Sequence, residues 1–255
     1  MGTVTKLNIA PLIFVCLAGS AAAQQPNVSA SQDEMPMPLK RLVTGTLRDQ
    51  KAVWTFPARV GQHWKPVLAV AAVTAGLIAL DPYTESYFHD RDRFSAYKTG
   101  PLRGRNSTLA ITLTPAASYV VGLTKRRAHS RNTGLLAAEA LAGTQIVSFA
   151  MKHAIGRLTP SEIPPNGNLR DTWFKYQGSF TNGGSFPSGH SASAFGVATV
   201  IAGRYREHRW VPWVAYGAAA ALALTRLPDQ AHFPSDIFTG AAMGYGIGHL
   251  VLGRQ

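Results

Sequence analysis

The chain has 255 residues, of which 46% are hydrophobic and 15% are charged, which is enough for one domain with a sizeable core. Lys and Arg total 25 against 13 acidic residues, and the pI near 10.2 suits anionic partners. No nucleic-acid-binding motif is present, and the basic residues lie in short runs between apolar stretches. The charge therefore favours phosphorylated substrates or acidic lipid surfaces over nucleic acid.

Residues 1–23 have the pattern of a secretory signal peptide. Lys6 supplies the positive region, an apolar region follows at 7–19, and three alanines at 21–23 form a small-residue cleavage site. A first membrane anchor is the alternative, although a span needs roughly 17–25 apolar residues. The single cysteine, Cys16, lies in this segment. Cleavage would therefore leave neither a disulfide nor a thiol nucleophile.

A polar lead-in at 24–65 precedes six apolar segments, and we interpret 66–255 as one helical domain. We expect the lead-in to be a tail that is ordered only in part, against the core. Each apolar segment is rich in Ala, Leu, Val and Gly and is too long for a usual β-strand. The sequence therefore predicts an all-α six-helix bundle, with helices at 67–80, 108–123, 134–151, 191–204, 211–225 and 236–252.

The last of these segments carries Gly240, Gly244 and Gly248, which recur every four residues and so share one helix face. Each glycine inside a helix costs about 1 kcal/mol. The pattern predicts that another helix approaches this face closely.

Two arguments about the membrane disagree. Basic runs at 125–131 and 204–209 fall on one side of a six-helix weave, and the turn at 185–191 falls on the other, so the positive-inside rule places the turn outside the cytoplasm. Against spans, most segments are short and the mean hydropathy is only +0.01. We expect a soluble or membrane-surface periplasmic domain; the alternative is an integral membrane protein whose site faces the periplasm.

Three clusters of polar residues lie at helix ends. The first begins at Lys152, the second is the turn at 185–191, and the third runs from Thr225 to Asp236. In the third, His232 and Asp236 share one face if the helix begins near His232, so the carboxylate can fix the imidazole tautomer and leave the other nitrogen free to attack.

The other two clusters supply the remaining parts of a phosphate site. The helix start after 187–190 offers backbone N–H groups to an anion, and His190 lies where an acid would protonate a leaving group. Arg226 offers a planar fork for phosphate oxygens and Lys152 a point charge. This chemistry requires no metal and no cofactor.

Each of these residues also has an ordinary structural explanation. An isolated histidine is often a surface or core residue, and Asp236 follows Pro-Ser as a helix-capping residue would. Lys152 and Arg157 can neutralise a helix C-terminus. The functional interpretation depends on finding all three clusters together, in this order.

At these motifs the chain resembles the type 2 phosphatidic acid phosphatase superfamily, which also includes bacterial class A acid phosphatases and vanadium haloperoxidases. The family signature is Lys-x6-Arg-Pro, then Pro-Ser-Gly-His, then Ser-Arg-x5-His-x3-Asp. The second motif is complete at 187–190, and the third has Thr225 in place of Ser. The first has Lys152 and Pro160 at the right spacing, but Thr159 replaces the arginine. The resemblance runs from about residue 67 to the C-terminus and implies the family's six-helix fold.

The resemblance also implies roles for individual residues. His232 would be the nucleophile that forms a phosphohistidine, Asp236 would orient it, and His190 would be the acid. The implied phosphate-binding residues are Lys152, Ser188, Gly189 and Arg226. Because Thr159 removes one expected contact, Arg157, two residues earlier, is expected to compensate for it.

The sequence therefore predicts a metal-independent phosphatase of phosphate monoesters, with lipid phosphate or isoprenoid diphosphate as plausible substrates. One alternative is a vanadate-dependent haloperoxidase in which His232 binds vanadate, although the chain is short for that group. The other is a non-catalytic periplasmic protein that binds anionic lipid, with Thr159 marking a decayed site.

Overall fold

The computed structural model describes residues 34–62, 64–88, 104–164, 167–175 and 184–254. All regular secondary structure within these ranges is helical, which confirms the all-α prediction; the predicted signal peptide lies outside them. The α-helices are α1 (Lys40–Thr55), α2 (Trp64–Phe88), α3 (Gly104–Thr124), α4 (Ala128–Ile155), α5 (Gly189–Arg204), α6 (Trp210–Leu224) and α7 (Pro234–Leu252). Two short 3-10 helices lie at Phe56–Gln62 and Pro160–Glu162.

The six predicted helices correspond to α2–α7, and α2 is two turns longer than expected. The sequence pair Asp81-Pro82 resembles a helix end, yet α2 continues to Phe88 with Pro82 inside it. Proline in a helix interior costs about 3 kcal/mol. The side chains of Asp81 and Glu85 are completely buried against the rest of the bundle, and this packing outweighs the local cost.

Helix α1 belongs to the predicted lead-in and has its polar side inward. Asp49 and Gln50 are buried, and the Gln50 amide donates to the Gly143 carbonyl at 3.2 Å. The outward side carries exposed Val43 and Leu47. A search for apolar residues facing a core misses such a helix, because here the apolar face points away from the protein.

Helix α5 lies at the centre of the bundle and packs against α4, α6 and α7. The predicted close approach at the glycine face is confirmed. A Cβ atom at Gly240 would lie 2.4 Å from the Ser188 carbonyl oxygen, and one at Gly244 would lie 2.1 Å from that of Ala192. Glycine thus lets the backbones of α5 and α7 touch, and this sets the start of α5 beside the start of α7.

The bundle has two chemically different ends. The starts of α3, α5 and α7 meet the ends of α2, α4 and α6 at one end, which we call the site end. The α3–α4 connection, the α5–α6 connection and the C-terminus lie at the other, which we call the basic end. Its cationic side chains include Lys125, Arg126, Arg127, Arg204, Arg206, Arg209 and Arg254.

Helices α2, α3 and α4 are each long and apolar enough to cross a membrane. Only 6% of the most apolar part of α2 is buried inside the protein. A helix that exposes so much apolar surface needs an apolar environment. The protein is therefore membrane-associated, as the membrane-surface form of our expectation and the integral-membrane alternative both require.

Candidate active site

His232 and Asp236 lie at the start of α7, as the third motif predicts. The helix begins at Pro234, so His232 lies just before it. Asp236 Oδ2 accepts from the Phe233 N–H at 2.8 Å and lies 3.7 Å from His232 Nδ1. The two side chains are thus adjacent at ion-pair distance, slightly farther apart than a direct hydrogen bond requires.

The surroundings of His232 keep its imidazole neutral. Burial lowers the pKa of His232 below its usual value, and the positive charges of Lys152 and Arg226 lower it further, while Asp236 acts in the opposite direction. Lys152 is in the last turn of α4, and Arg226 follows the end of α6. Two predicted phosphate-binding cations therefore lie near the predicted nucleophile.

The second motif forms the start of α5. Ser188 is the N-cap, and its hydroxyl accepts from the Ser191 N–H at 3.3 Å. Gly189 and His190 are the first helical residues, so their backbone amides lie in the turn where N–H groups have no helical acceptor. The Ser188 N–H donates to the Asp236 carbonyl at 3.0 Å, which joins the second motif directly to the third.

His190 has a partner that the motifs do not contain. Its Nε2 atom lies 2.6 Å from the hydroxyl of Thr108, near the start of α3. This contact can fix the position and tautomer of the partly exposed imidazole. Nothing in the sequence near Thr108 pointed to this role.

Arg226 and Thr159 have local partners. Arg226 Nη1 donates to Asp229 Oδ2 at 2.8 Å, three residues along the chain. The backbone N–H of Thr159 donates to the Glu162 carboxylate at 2.7 Å, and its hydroxyl lies 3.0 Å from that of Ser161. Thr159 thus begins the short 3-10 helix at Pro160 instead of supplying a cation.

Arg157 is placed differently from our expectation of a phosphate contact. Its side chain is 1% exposed. Its Nη1 donates to Asp236 Oδ1 at 2.6 Å and to the Ser235 hydroxyl at 2.8 Å, and its Nη2 donates to Asp81 Oδ2 at 2.7 Å. The phosphate-binding role stays a prediction. In the structure, the guanidinium donates to the side chains of other protein residues.

Asp81 is a site residue that the sequence did not identify. It is completely buried, it comes from α2, and it lies 154 positions from Ser235, whose N–H it accepts at 3.1 Å. It therefore supplies an N-terminal cap to α7 from another helix. The one local signal is a carboxylate at the end of an apolar helix, which is also typical of an ordinary helix end.

Taken together, the site end collects a neutral histidine backed by a carboxylate, two cations, a helix N-terminus and a second histidine. Cations and helix N-termini bind oxyanions, and a neutral imidazole can attack phosphorus. The structure thus brings the three motifs to one end of the bundle.

Comparison with known proteins covers this same region. Residues 133–254, which contain all three motifs, match the sequence model of the PAP2 superfamily. A lipid A 1-phosphatase of Porphyromonas gingivalis is 35% identical over 102 residues, which are 40% of this chain and 19% of that protein. A lipid A 1-phosphatase of Rhizobium etli is 37% identical over 103 residues, or 39% of this chain and 40% of that one.

A lipid A 4'-phosphatase of Bacteroides thetaiotaomicron is 31% identical over 100 residues, or 39% of this chain and 43% of that protein. The chain thus spans less than half the length of each of these relatives. Among solved structures, a transmembrane PAP2 type phosphatidylglycerolphosphate phosphatase from Bacillus subtilis aligns over 85% of this chain and 94% of that one, with 18% identity and a TM-score of 0.41.

The matched segment runs from α4 to the end of α7 and holds every motif on which the resemblance was based. The resemblance is therefore confirmed over residues 133–254, which match the PAP2 superfamily.

Proposed function

We propose that this protein is a metal-independent phosphatase that removes a phosphate monoester group from a membrane lipid, with His232 as the nucleophile. The observation that carries the proposal is the buried His232, held beside Asp236 and close to the charges of Lys152 and Arg226. A neutral imidazole in a cationic, anion-binding pocket fits nucleophilic attack on phosphorus.

The first step forms a bond between His232 Nε2 and phosphorus and breaks the bond from phosphorus to the lipid oxygen. The Asp236 carboxylate stabilises the positive charge that develops on the imidazole. His190 donates a proton to the departing oxygen. Lys152, Arg226, the Ser188 hydroxyl and the Gly189 backbone N–H hold the phosphate oxygens as negative charge redistributes.

The second step returns the enzyme to its starting state. His190, now neutral, accepts a proton from a water molecule that attacks the phosphorus. The bond from phosphorus to His232 breaks, inorganic phosphate leaves, and His190 is protonated for the next cycle. Thr108, at hydrogen-bond distance from His190 Nε2, would hold that ring in place during both transfers.

A lipid substrate is supported by two observations. The relatives described above are named as lipid A phosphatases, and they match the part of this chain that contains the motifs. In addition, α2 reaches the site through Asp81 and exposes most of its apolar surface. A substrate with its acyl chains in the bilayer would then present its phosphate beside the site.

The charge distribution supports a topology in which the site faces away from the cytoplasm. The basic end has the excess of Lys and Arg that marks cytoplasmic loops, and the exposed tryptophans Trp64, Trp210 and Trp213 lie at the same end, as interfacial anchors do. This arrangement leaves the start of α1 on the cytoplasmic side. It therefore competes with cleavage of a signal peptide at 1–23, which lies outside the described residues.

The test is a substrate panel on purified protein in detergent micelles. The panel contains lipid A phosphate, phosphatidic acid, an isoprenoid diphosphate and p-nitrophenyl phosphate, each with and without a metal chelator. We expect phosphate release from a lipid substrate that survives chelation and is lost in His232→Ala, which should keep its elution profile. Release that persists in that variant, or no release from any substrate, would contradict the proposal.

A further inference from the structure

Buried charged side chains form a connected series that begins at Asp236, the residue beside the proposed nucleophile. Asp236 receives the Arg157 guanidinium on Oδ1 at 2.6 Å and the Phe233 N–H on Oδ2 at 2.8 Å. Both carboxylate oxygens are thus held by donors other than His232. Arg157 contacts Oδ1. The carboxylate oxygen nearer the imidazole is Oδ2, which lies 3.7 Å from His232 Nδ1.

Arg157 is itself fixed on every side. Its Nε donates to the Thr172 hydroxyl at 3.3 Å, and its Nη2 donates to Asp81 at 2.7 Å. The guanidinium lies between two aromatic rings, 4.3 Å from the ring centre of Trp173 and 3.9 Å from that of Phe233. Reaching a phosphate would break these contacts and remove the cation from between the rings.

Asp81 closes the chain from α2, which lies outside the matched residues 133–254. Its Oδ2 accepts from Arg157 and, at 2.5 Å, from the Ser235 hydroxyl, while its Oδ1 accepts from the Ser235 N–H. Asp81 therefore holds both the guanidinium and the first turn of the helix that carries Asp236.

We propose that Asp81 and Arg157 are positioning residues of the reaction: Asp81 fixes the Arg157 guanidinium, which holds the Asp236 carboxylate in the orientation that aligns His232. The proposal rests on the proposed function, since it assumes that His232 is the nucleophile. In this proposal, Arg157 positions the nucleophile and does not bind the phosphate.

A purely structural role is the competing explanation, because Asp81 also caps α7. The two explanations differ in kinetics. Misalignment of a nucleophile lowers kcat and leaves substrate and inhibitor binding nearly unchanged, whereas a fold defect lowers the amount of active protein. Loss of a phosphate contact raises KM and weakens inhibition by vanadate, an oxyanion that occupies a phosphate site.

The test compares purified Asp81→Asn and Arg157→Lys with wild type in micelles, using kcat, KM and the inhibition constant for vanadate. Arg226→Lys serves as the reference for a lost phosphate contact. Asp49→Asn is the matched control, because Asp49 is an equally buried aspartate that pairs with Arg254 at 2.7 Å, at the opposite end of the bundle.

We expect kcat to fall about 10- to 100-fold in Asp81→Asn and Arg157→Lys, by analogy with the outer-shell residues that orient metal-binding histidines. KM and vanadate inhibition should stay close to wild type in both, while Asp49→Asn keeps the wild-type kcat. In Arg157→Ala, added guanidinium ion should restore part of kcat, which a collapsed fold would not allow.

Wild-type kcat in folded Asp81→Asn and Arg157→Lys would overturn the positioning role while leaving the proposed function intact. A raised KM with weakened vanadate inhibition in Arg157→Lys, as in Arg226→Lys, would overturn it in favour of a phosphate contact. If both variants fail to fold, the absence of guanidinium rescue in Arg157→Ala would count against it. Inactive wild-type protein would instead refute the proposed function.

Discussion

Two aspartate–arginine pairs, each with a buried aspartate, lie at opposite ends of this bundle. Asp81 and Arg157 meet at 2.7 Å at the site end, and Asp49 and Arg254 meet at 2.7 Å at the basic end. The chemistry and the distance are the same, but Arg157 is 1% exposed and Arg254 is 30% exposed. The first pair continues to Asp236 and His232, whereas the second fastens α1 to the end of α7.

The two pairs differ in their neighbours, and the proposed catalytic role of the first pair depends on that difference. At the basic end, Arg41 donates to the Arg254 carbonyl, and its Nε lies 3.8 Å from Glu139, so the cluster joins the lead-in to α4 and α7. Within the part of the chain that the structure describes, no contact of that cluster reaches a histidine at the site end. At the site end, the same kind of pair contacts the carboxylate that lies beside His232, the proposed nucleophile.

The largest effect should come from the acid at the site end. We expect His190→Ala to lower kcat about 100- to 10,000-fold on an alkyl phosphate, because an alkoxide leaves poorly without a proton. The loss should be much smaller on p-nitrophenyl phosphate, whose leaving group is stable as an anion. Equal losses on both substrates, measured side by side, would exclude the acid role.

A second prediction concerns the contact that sets the start of α5 beside that of α7. Gly244→Ala would place a Cβ atom 2.1 Å from the Ala192 carbonyl oxygen, whereas Gly246 in the same helix has nothing within 4 Å of that position. We expect Gly244→Ala to destabilise the protein by about 1–3 kcal/mol and to reduce turnover.

Gly246→Ala is the matched control for this change. It should raise the unfolding temperature slightly, because alanine favours a helix over glycine by about 1 kcal/mol. Thermal unfolding in detergent checks both variants. Similar unfolding temperatures for the two would show that the close contact between α5 and α7 does not limit stability.

The third prediction is that the Asp49–Arg254 pair contributes to stability and has no effect on kcat. Asp49→Asn leaves the Arg254 side chain without its carboxylate, and we expect a loss of about 1–3 kcal/mol in the free energy of unfolding. The kcat of the folded fraction should equal that of wild type. A fall in kcat at constant unfolding temperature would mean that the basic end is coupled to the site.

The sequence predicted the helices whose segments are continuously apolar and missed what depends on distant contacts. The six segments of α2–α7 and the glycine face of α7 follow from local composition and spacing. Helix α1 was missed because its segment is polar overall and its few apolar residues point outward. The extension of α2 past Pro82 was missed because its stabilising partner, Ser235, is 154 positions away from Asp81.

The candidate site also contains residues that local spacing predicts and residues that only distant contacts in the fold reveal. The motifs located His190, His232 and Asp236, since spacing along a helix start is a local property. They did not identify Asp81 or Thr108, which are brought to the site by α2 and α3. Arg157 was noticed for its charge, but only the fold shows which carboxylates that charge meets.

The smallest effect should be a change in pH dependence. Because Lys152 helps to lower the pKa of His232, Lys152→Gln should raise that pKa. His232 must be neutral to attack, so the acid limb of kcat/KM should move to higher pH. Lys125→Gln, at the basic end, should leave the limb unchanged; an unmoved limb in Lys152→Gln would place that charge away from the nucleophile.

The most direct test of the central claim is to trap the covalent intermediate. Rapid mixing of the enzyme with a labelled phosphate ester, followed by a base quench and mass spectrometry of the peptide that contains residue 232, reports where the phosphoryl group is bound. We predict a phosphoryl group on His232 that is stable in base, lost in acid and absent from His232→Ala. Label on another residue, or label that persists in His232→Ala, would contradict the account.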